Sequence, residues 1–225
     1  MTIAVGAVYN GGAVVGADRM LEIGGNGRKN ADCNFRKLFY FSHKSQAVAV
    51  AGDIQLSYVI KPPGEEIVCD YAKLVQGAFE FNKASGTKLA SDSLEAYAEL
   101  GRLLQYERFD AEVLVVEPIE NGFGLWSRSY RVRNGYWQEP IEIDFGQNVL
   151  GIGCYKTYST FLTDPGRIMP DARRTLSSLT APPKLPQSMF PNRDTAESWV
   201  REVIDWCCVA FPDMCGGSPD VFHLT

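Results

Sequence analysis

Long hydrophobic runs are missing from this chain: no apolar stretch approaches the ~20 residues that a membrane-spanning helix requires. Histidine is scarce, with only His43 and His223, and the six cysteines contain no C-x-x-C pair. A Cys/His metal site is therefore not expected. The cysteines, Cys33, Cys69, Cys154, Cys207, Cys208 and Cys215, are scattered through 225 residues, which does not suit a disulfide framework. Positive charge is in short supply too. The 22 Lys and Arg against 27 Asp and Glu give a net charge of −5 with no basic block, which argues against a phosphate-backbone partner. The opening MTIAVGAVYNGG carries no basic stretch and reaches turn residues too early for a secretory signal. The expectation is a cytoplasmic protein with neither nucleic acid nor membrane as partner.

What is present is an ordinary globular composition, 45% hydrophobic and 22% charged. At this length one core can be buried without staples, so a single domain over 1–225 is expected. Residues 2–9 and 12–18 are β-branched-rich runs flanking Asn10-Gly11, the strongest short hairpin signal. Neither alternates cleanly with polar residues, so both strands should be covered on two faces. After a glycine-rich, polar stretch at 24–34, RKLFYF (36–41) and AVAVA (47–51) read as two more strands.

Helical spacing then takes over, first in the short Ile54–Ile60, next from Glu65 and again from Asp92, where Asp92…Glu95 resembles a capping box. Strand signals return in EVLVVEP, GFGLWSRS, YRVRNGYW and QNVLG, followed by a helix from Tyr155. Residues 164–193 hold six of the twelve prolines and little periodicity, which predicts a long ordered loop or a mobile excursion inserted into the domain. A last helix opens at Asp194…Glu197, and PDVFHLT closes the chain as a strand. Two sets of mostly antiparallel strands with segregated helices predict an α+β layered sandwich, sheets inside and helices outside.

Chemistry begins at the second residue. A methionine ahead of a small residue is readily removed, which would give Thr2 a free α-amine. A threonine hydroxyl is a weak nucleophile and needs a base beside it. An N-terminal threonine carries one: the α-amine, with an ordinary pKa of ~7.7–8.0, is substantially neutral near pH 7. Met-Thr alone is a common dipeptide and points equally to a plain first strand residue.

The remaining motifs carry a resemblance. TIAVGAVYNGGAVVGADR, RKLFYF, AVAVAGDIQ, LGIGCYKTY and CGGSPDVFHLT, in this order and spacing, resemble the proteasome β-subunits and the peptidase subunit of bacterial ATP-dependent two-component proteases. No single motif is specific; their joint order is, and it covers nearly the whole chain apart from 164–193. The resemblance implies a four-layer αββα sandwich of the N-terminal nucleophile hydrolase type. It implies Thr2 as nucleophile, Asp18 as the acid sixteen residues on, and Lys37 as the active-site lysine, with Arg36 the neighbouring alternative. It places Ala49 at the oxyanion position, where the family usually has glycine. Cys154 and Cys215 stand where the family has supporting serines, and Asp213 stands one place after the family's acid, where this chain has Pro212. Leu21, Ala47 and Ala51 fall near the first specificity pocket. Lysine beside the α-amine would lower its pKa, and the aspartate would compensate the lysine.

The resemblance further implies a threonine endopeptidase without cofactor or metal, acting on peptides or unfolded protein. It also implies a homo-oligomeric ring or stack, with an ATPase as a candidate partner. Two other readings stay open: a catalytically silent ring or scaffold subunit, and a small-molecule amidase of the same fold. Cys207, Cys208, His43 and His223 are expected to be structural.

Overall fold

Asn10 and Gly11 form the turn of a tight hairpin, with Gly11 at φ +96° in open space. It joins β1 (Ile3–Tyr9) to β2 (Gly12–Ala17), and both strands are buried along their whole length. The structure is a computed structural model describing residues 2–23, 28–30, 37–41, 45–52, 108–133, 136–137 and 143–225. The helices expected at Ile54–Ile60, from Glu65 and from Asp92 lie outside the described residues.

Four further strands precede the long undescribed stretch or flank its start: β3 (Leu21–Ile23), β4 (Arg28–Asn30), β5 (Leu38–Phe41) and β6 (Gln46–Gly52). Then come β7 (Arg108–Ile119), β8 (Gly122–Arg133), β9 (Tyr136–Trp137), β10 (Ile143–Gly146) and β11 (Val149–Gly153). Helices α1 (Cys154–Thr163), α2 (Pro170–Ser177) and α3 (Arg193–Ala210) lead to β12 (Asp220–Leu224). One sheet runs β11-β1-β2-β12 with antiparallel neighbours. The other runs β10-β8-β7-β6-β5, with β9 paired to β8, and β3 and β4 form a small ribbon.

The chain divides into two compact units. One comprises Met1–Gly52, Glu112–Arg128 and Ile143–Thr225 and holds the hydrophobic core residues of both sheets. The other comprises Asp53–Ala111 and Ser129–Glu142; within it Val132 pairs with Trp137 and Arg133 with Tyr136.

Strand alternation splits the first unit into two cores. Ile3, Val5, Ala7 and Tyr9 of β1 pack with Val14 of β2 against Tyr155, Tyr158, Val200, Val203 and Ile204 of the helices. Ala4, Val8, Ala13, Val15 and Ala17 face the opposite way, onto Ala47, Ala49, Leu114, Val116 and Leu125 of the second sheet. Close approach on both faces is met by glycine. A Cβ at Gly16 would stand 2.6 Å from Val200, and one at Gly6 would stand 3.0 Å from Leu125. This is the layered α+β sandwich expected from the sequence, with both sheets and the helix layer over β11-β1-β2-β12 among the described residues. Among those residues no helix is long and apolar enough to cross a membrane.

The proline-rich stretch is ordered and contains an unforeseen helix. Pro170 starts α2 and Pro165 starts a 3₁₀ turn, both positions where the missing N–H costs nothing. Ile168 and Leu176 enter the core, and aromatic donors strap the chain down beyond α2. Trp206 Nε1 donates to the Thr180 carbonyl at 2.9 Å, Trp199 Nε1 to Lys184 at 2.9 Å, and Tyr158 OH to Pro183 at 2.5 Å. α3 begins one residue before the expected Asp194, because Asn192 caps it through the Thr195 N–H.

Ile204→Ala should cost ~2–5 kcal/mol, since this side chain is fully buried between α3 and β2. Val209→Ala on the exposed face of the same helix should cost less than ~0.5 kcal/mol. Urea unfolding of both variants checks the assignment of the helix face.

Candidate active site

The ends of β1 and β2 place Thr2 beside Asp18. Antiparallel pairing sets Ala4 opposite Ala17, so the residues leading into β1 adjoin those leaving β2, and the Asp18 N–H donates to the Ile3 carbonyl at 3.1 Å. The Asp18 side chain is 1% exposed yet fully occupied. Its Oδ1 accepts from the Ile3 N–H at 3.0 Å and from Lys37 Nζ at 2.9 Å. Its Oδ2 accepts from the N–H groups of Met20 at 3.2 Å and Gly216 at 3.1 Å. Four donors on one carboxylate offset the loss of hydration that a buried anion suffers.

Lys37 reaches this carboxylate from the position just before β5 and is itself only 2% exposed. Two donors at 2.9 and 3.0 Å from one oxygen lie within about 6 Å of each other, so the ammonium sits that close to the peptide joining Thr2 to Ile3.

Thr2 is 5% exposed and is clamped from the other side by β11 and α1. Its carbonyl accepts from the Cys154 N–H at 2.9 Å, the first N–H of α1. Gly153 pairs with Ile3 at φ +65°, and a Cβ there would stand 1.8 Å from the Thr2 carbonyl oxygen. Only glycine fits.

Among the other residues expected at the site, Cys154 and Cys215 are brought together. The Cys154 thiol is held below its usual value, first by a hydrogen bond with Cys215 and further by the Lys37 charge, against burial and the Asp18 carboxylate. Cys215 is pushed up by the thiols of Cys154 and Cys208 together with its burial. It has the Cys207 carbonyl as an acceptor at 3.3 Å. Both thiols belong to the buried core cluster that also holds Ile3.

Ala47, Ala49 and Ala51 all lie on β6 and face the apolar core between the sheets, with Ala51 beside Gly153. Leu21 begins β3, and Asp213 is exposed in the turn after α3. Among the described residues no group of three His, Cys, Asp or Glu side chains could hold a metal ion.

Four participants were not singled out in the sequence. Gly153, Gly216 and Met20 act through their backbones, and a backbone donor leaves no side-chain signature. The fourth, Arg19, comes directly after Asp18 and ties two segments of the site. Its N–H donates to Gly216 at 3.1 Å and its guanidinium pairs with Asp220 of β12. His223, expected to be structural, stands 3.0 Å from Glu197 across β12 and α3, with burial lowering its pKa.

Comparison with known proteins returns no matching family model and no matching curated protein. Among solved structures the chain is similar to Anbu (ancestral beta-subunit) from Yersinia bercovieri, with TM-score 0.50 and 15% identity over 99% of this chain and 82% of that one. An Anbu (Gly-1) mutant from Hyphomicrobium sp. strain MC1 gives TM-score 0.44 and 12% identity over 98% and 80%. The first likeness carries the fold. It also corrects the sequence reading: the neighbours are Anbu proteins, proteasome-like but a distinct family. Neither a family model nor a curated sequence supports the assignment to proteasome β-subunits and the two-component protease peptidase.

The buried pair should respond asymmetrically to substitution. Asp18→Ala strands the Lys37 ammonium and three N–H donors and should cost ~3–5 kcal/mol. Lys37→Met leaves Asp18 its three N–H partners and should cost clearly less. Denaturant unfolding of the two variants compares them, and equal losses would contradict the hub role of Asp18.

Proposed function

We propose that this chain is a threonine peptidase of the N-terminal nucleophile type, with Thr2 as nucleophile once Met1 is removed. One observation carries the reading: the buried Asp18 carboxylate holds the Lys37 ammonium and the Ile3 N–H on the same oxygen, next to Thr2. A buried lysine beside Thr2 with no catalytic role would be a costly way to fill a core.

In the proposed reaction the Thr2 hydroxyl attacks a peptide carbonyl while its own α-amine takes the hydroxyl proton. Lys37 favours the neutral, basic form of that amine, and Asp18 holds Lys37 in place. A backbone N–H near Ala49 stabilises the oxyanion. Collapse releases the amine product, which leaves with the proton, and an ester remains on Thr2. Water then attacks the ester, giving a proton to the same amine; the acyl–oxygen bond breaks, the carboxylic acid product leaves, and the amine returns the proton to the Thr2 oxygen. The reaction as proposed involves no metal or organic cofactor. Substrates are peptides or unfolded protein, and small apolar residues near Leu21, Ala47 and Ala51 would favour an apolar side chain in the first pocket.

For this chain an assembly is proposed on general grounds: a peptidase needs enclosure for selectivity, and soluble oligomers favour closed symmetry. A closed or stacked homo-oligomer of at least about six copies would supply it. The expectation of an ATPase partner rested on the corrected resemblance and is not carried forward.

Active material should begin at Thr2 by N-terminal sequencing, and Thr2→Ala should abolish peptide hydrolysis. Lys37→Ala should lose ~10²-fold or more in kcat if its charge tunes the amine. Retained Met1 in active protein, or full turnover by Thr2→Ala, would overturn the reading. Light scattering after size exclusion checks the assembly. A monomer that hydrolyses small amides but not peptides would favour an amidase.

A further inference from the structure

We propose that Glu112 is a positioning residue for the Thr2 centre, its carboxylate fixing the Gly153–Cys154 turn that clamps the Thr2 backbone. The proposal rests on the functional reading above. Glu112 comes from β7, on the second sheet, and its side chain is 21% exposed. Oε2 accepts from the Gly153 N–H at 2.7 Å, and Oε1 accepts from Lys156 Nζ at 2.8 Å.

These contacts answer a defect in α1. The helix starts with no side-chain cap and no acidic residue in its first turn. It also carries Lys156 there, where a cation opposes the helix dipole. Glu112 supplies from another strand the negative charge this N-terminus lacks, and neutralises Lys156 at the same time. A second carboxylate near Lys156, that of Asp144, is 3.8 Å away and more exposed.

From Gly153 the constraint passes directly to Thr2. The glycine leaves no room between itself and the Thr2 carbonyl, and the next N–H, of Cys154, donates to that carbonyl at 2.9 Å. The route from Glu112 to Thr2 runs through these two peptide units. A nucleophile displaced by ~1 Å can lose ~10²-fold in rate with substrate binding unchanged. A purely structural helix anchor would instead lower stability and leave the turnover of folded protein alone.

The test uses the full chain, Glu112→Ala and Glu112→Gln, with kcat and KM on a fluorogenic peptide and NMR hydrogen exchange of the Cys154 amide. In folded Glu112→Ala, kcat should fall ~10–100-fold with KM within about twofold. The Cys154 amide should exchange at least ~10-fold faster. Glu112→Gln retains an oxygen acceptor for Gly153 but not the charge, and should fall between parent and Ala in both readouts. Should Glu112→Ala fail to fold, Glu112→Gln decides by the same comparison. Parental kcat, or parental Cys154 exchange, in the deciding variant would overturn the proposal. If Thr2→Ala keeps full turnover, the functional reading falls by itself and exchange alone decides: a faster Cys154 amide supports the Glu112 clamp, and an unchanged one overturns it.

Discussion

The carboxylate of Asp18 is the point on which this structure turns. It is almost fully buried, and every lone pair that burial would orphan is matched to a donor from a different part of the chain. Ile3 belongs to the first strand, Met20 to the turn after the second, Lys37 to the segment entering β5, and Gly216 to the loop entering the last strand. Satisfying one anion therefore fixes four segments at one place. The cost of leaving any of these groups unpaired in a dry interior makes the arrangement close to all-or-none.

The apolar architecture explains why that place lies at the end of β1. The hairpin is buried on both faces, and glycines at Gly6 and Gly16 let the second sheet and α3 approach its backbone. Polar chemistry cannot sit mid-hairpin without breaking one of the two cores. The strand ends are where polar groups can gather while the alternation of Ile3, Val5 and Ala7 against Ala4 and Val8 keeps the layers together. β11 and the first peptide of α1 then close over Thr2. A helix N-terminus offers unpaired N–H groups at that spot, and one of them holds the Thr2 carbonyl.

How much of this could be read in the sequence depends on where each interaction resides. The hairpin was legible because Asn10-Gly11 is a local signal between apolar runs, and the sandwich because strands and helices come in segregated blocks. α3 was legible from the spacing of Trp199, Val203 and Trp206. α2 was not, because prolines at helix starts look like breakers when no periodic stretch comes after them. Asp18 and Lys37 could be proposed only through resemblance, since nothing local in an acid after a strand announces four donors. The donors from Met20 and Gly216 were invisible, being backbone groups brought in from distant positions. Glu112 gave no signal either: Gly153 and Lys156, which it holds, lie 41 and 44 residues away. The family assignment went astray because shared order and spacing are properties of the fold, and several families can share one fold.

The central claim is that Asp18 holds a charged Lys37 close enough to Thr2 to make its amine a base near neutral pH. The direct measurement is the titration of the Thr2 α-amino group, followed by ¹⁵N NMR in protein processed at Thr2, with Lys37→Met beside it. The account predicts a pKa below the ordinary ~7.7–8.0 in the parent and a rise toward that range in Lys37→Met. An α-amine that titrates at the same pH in both proteins would contradict it.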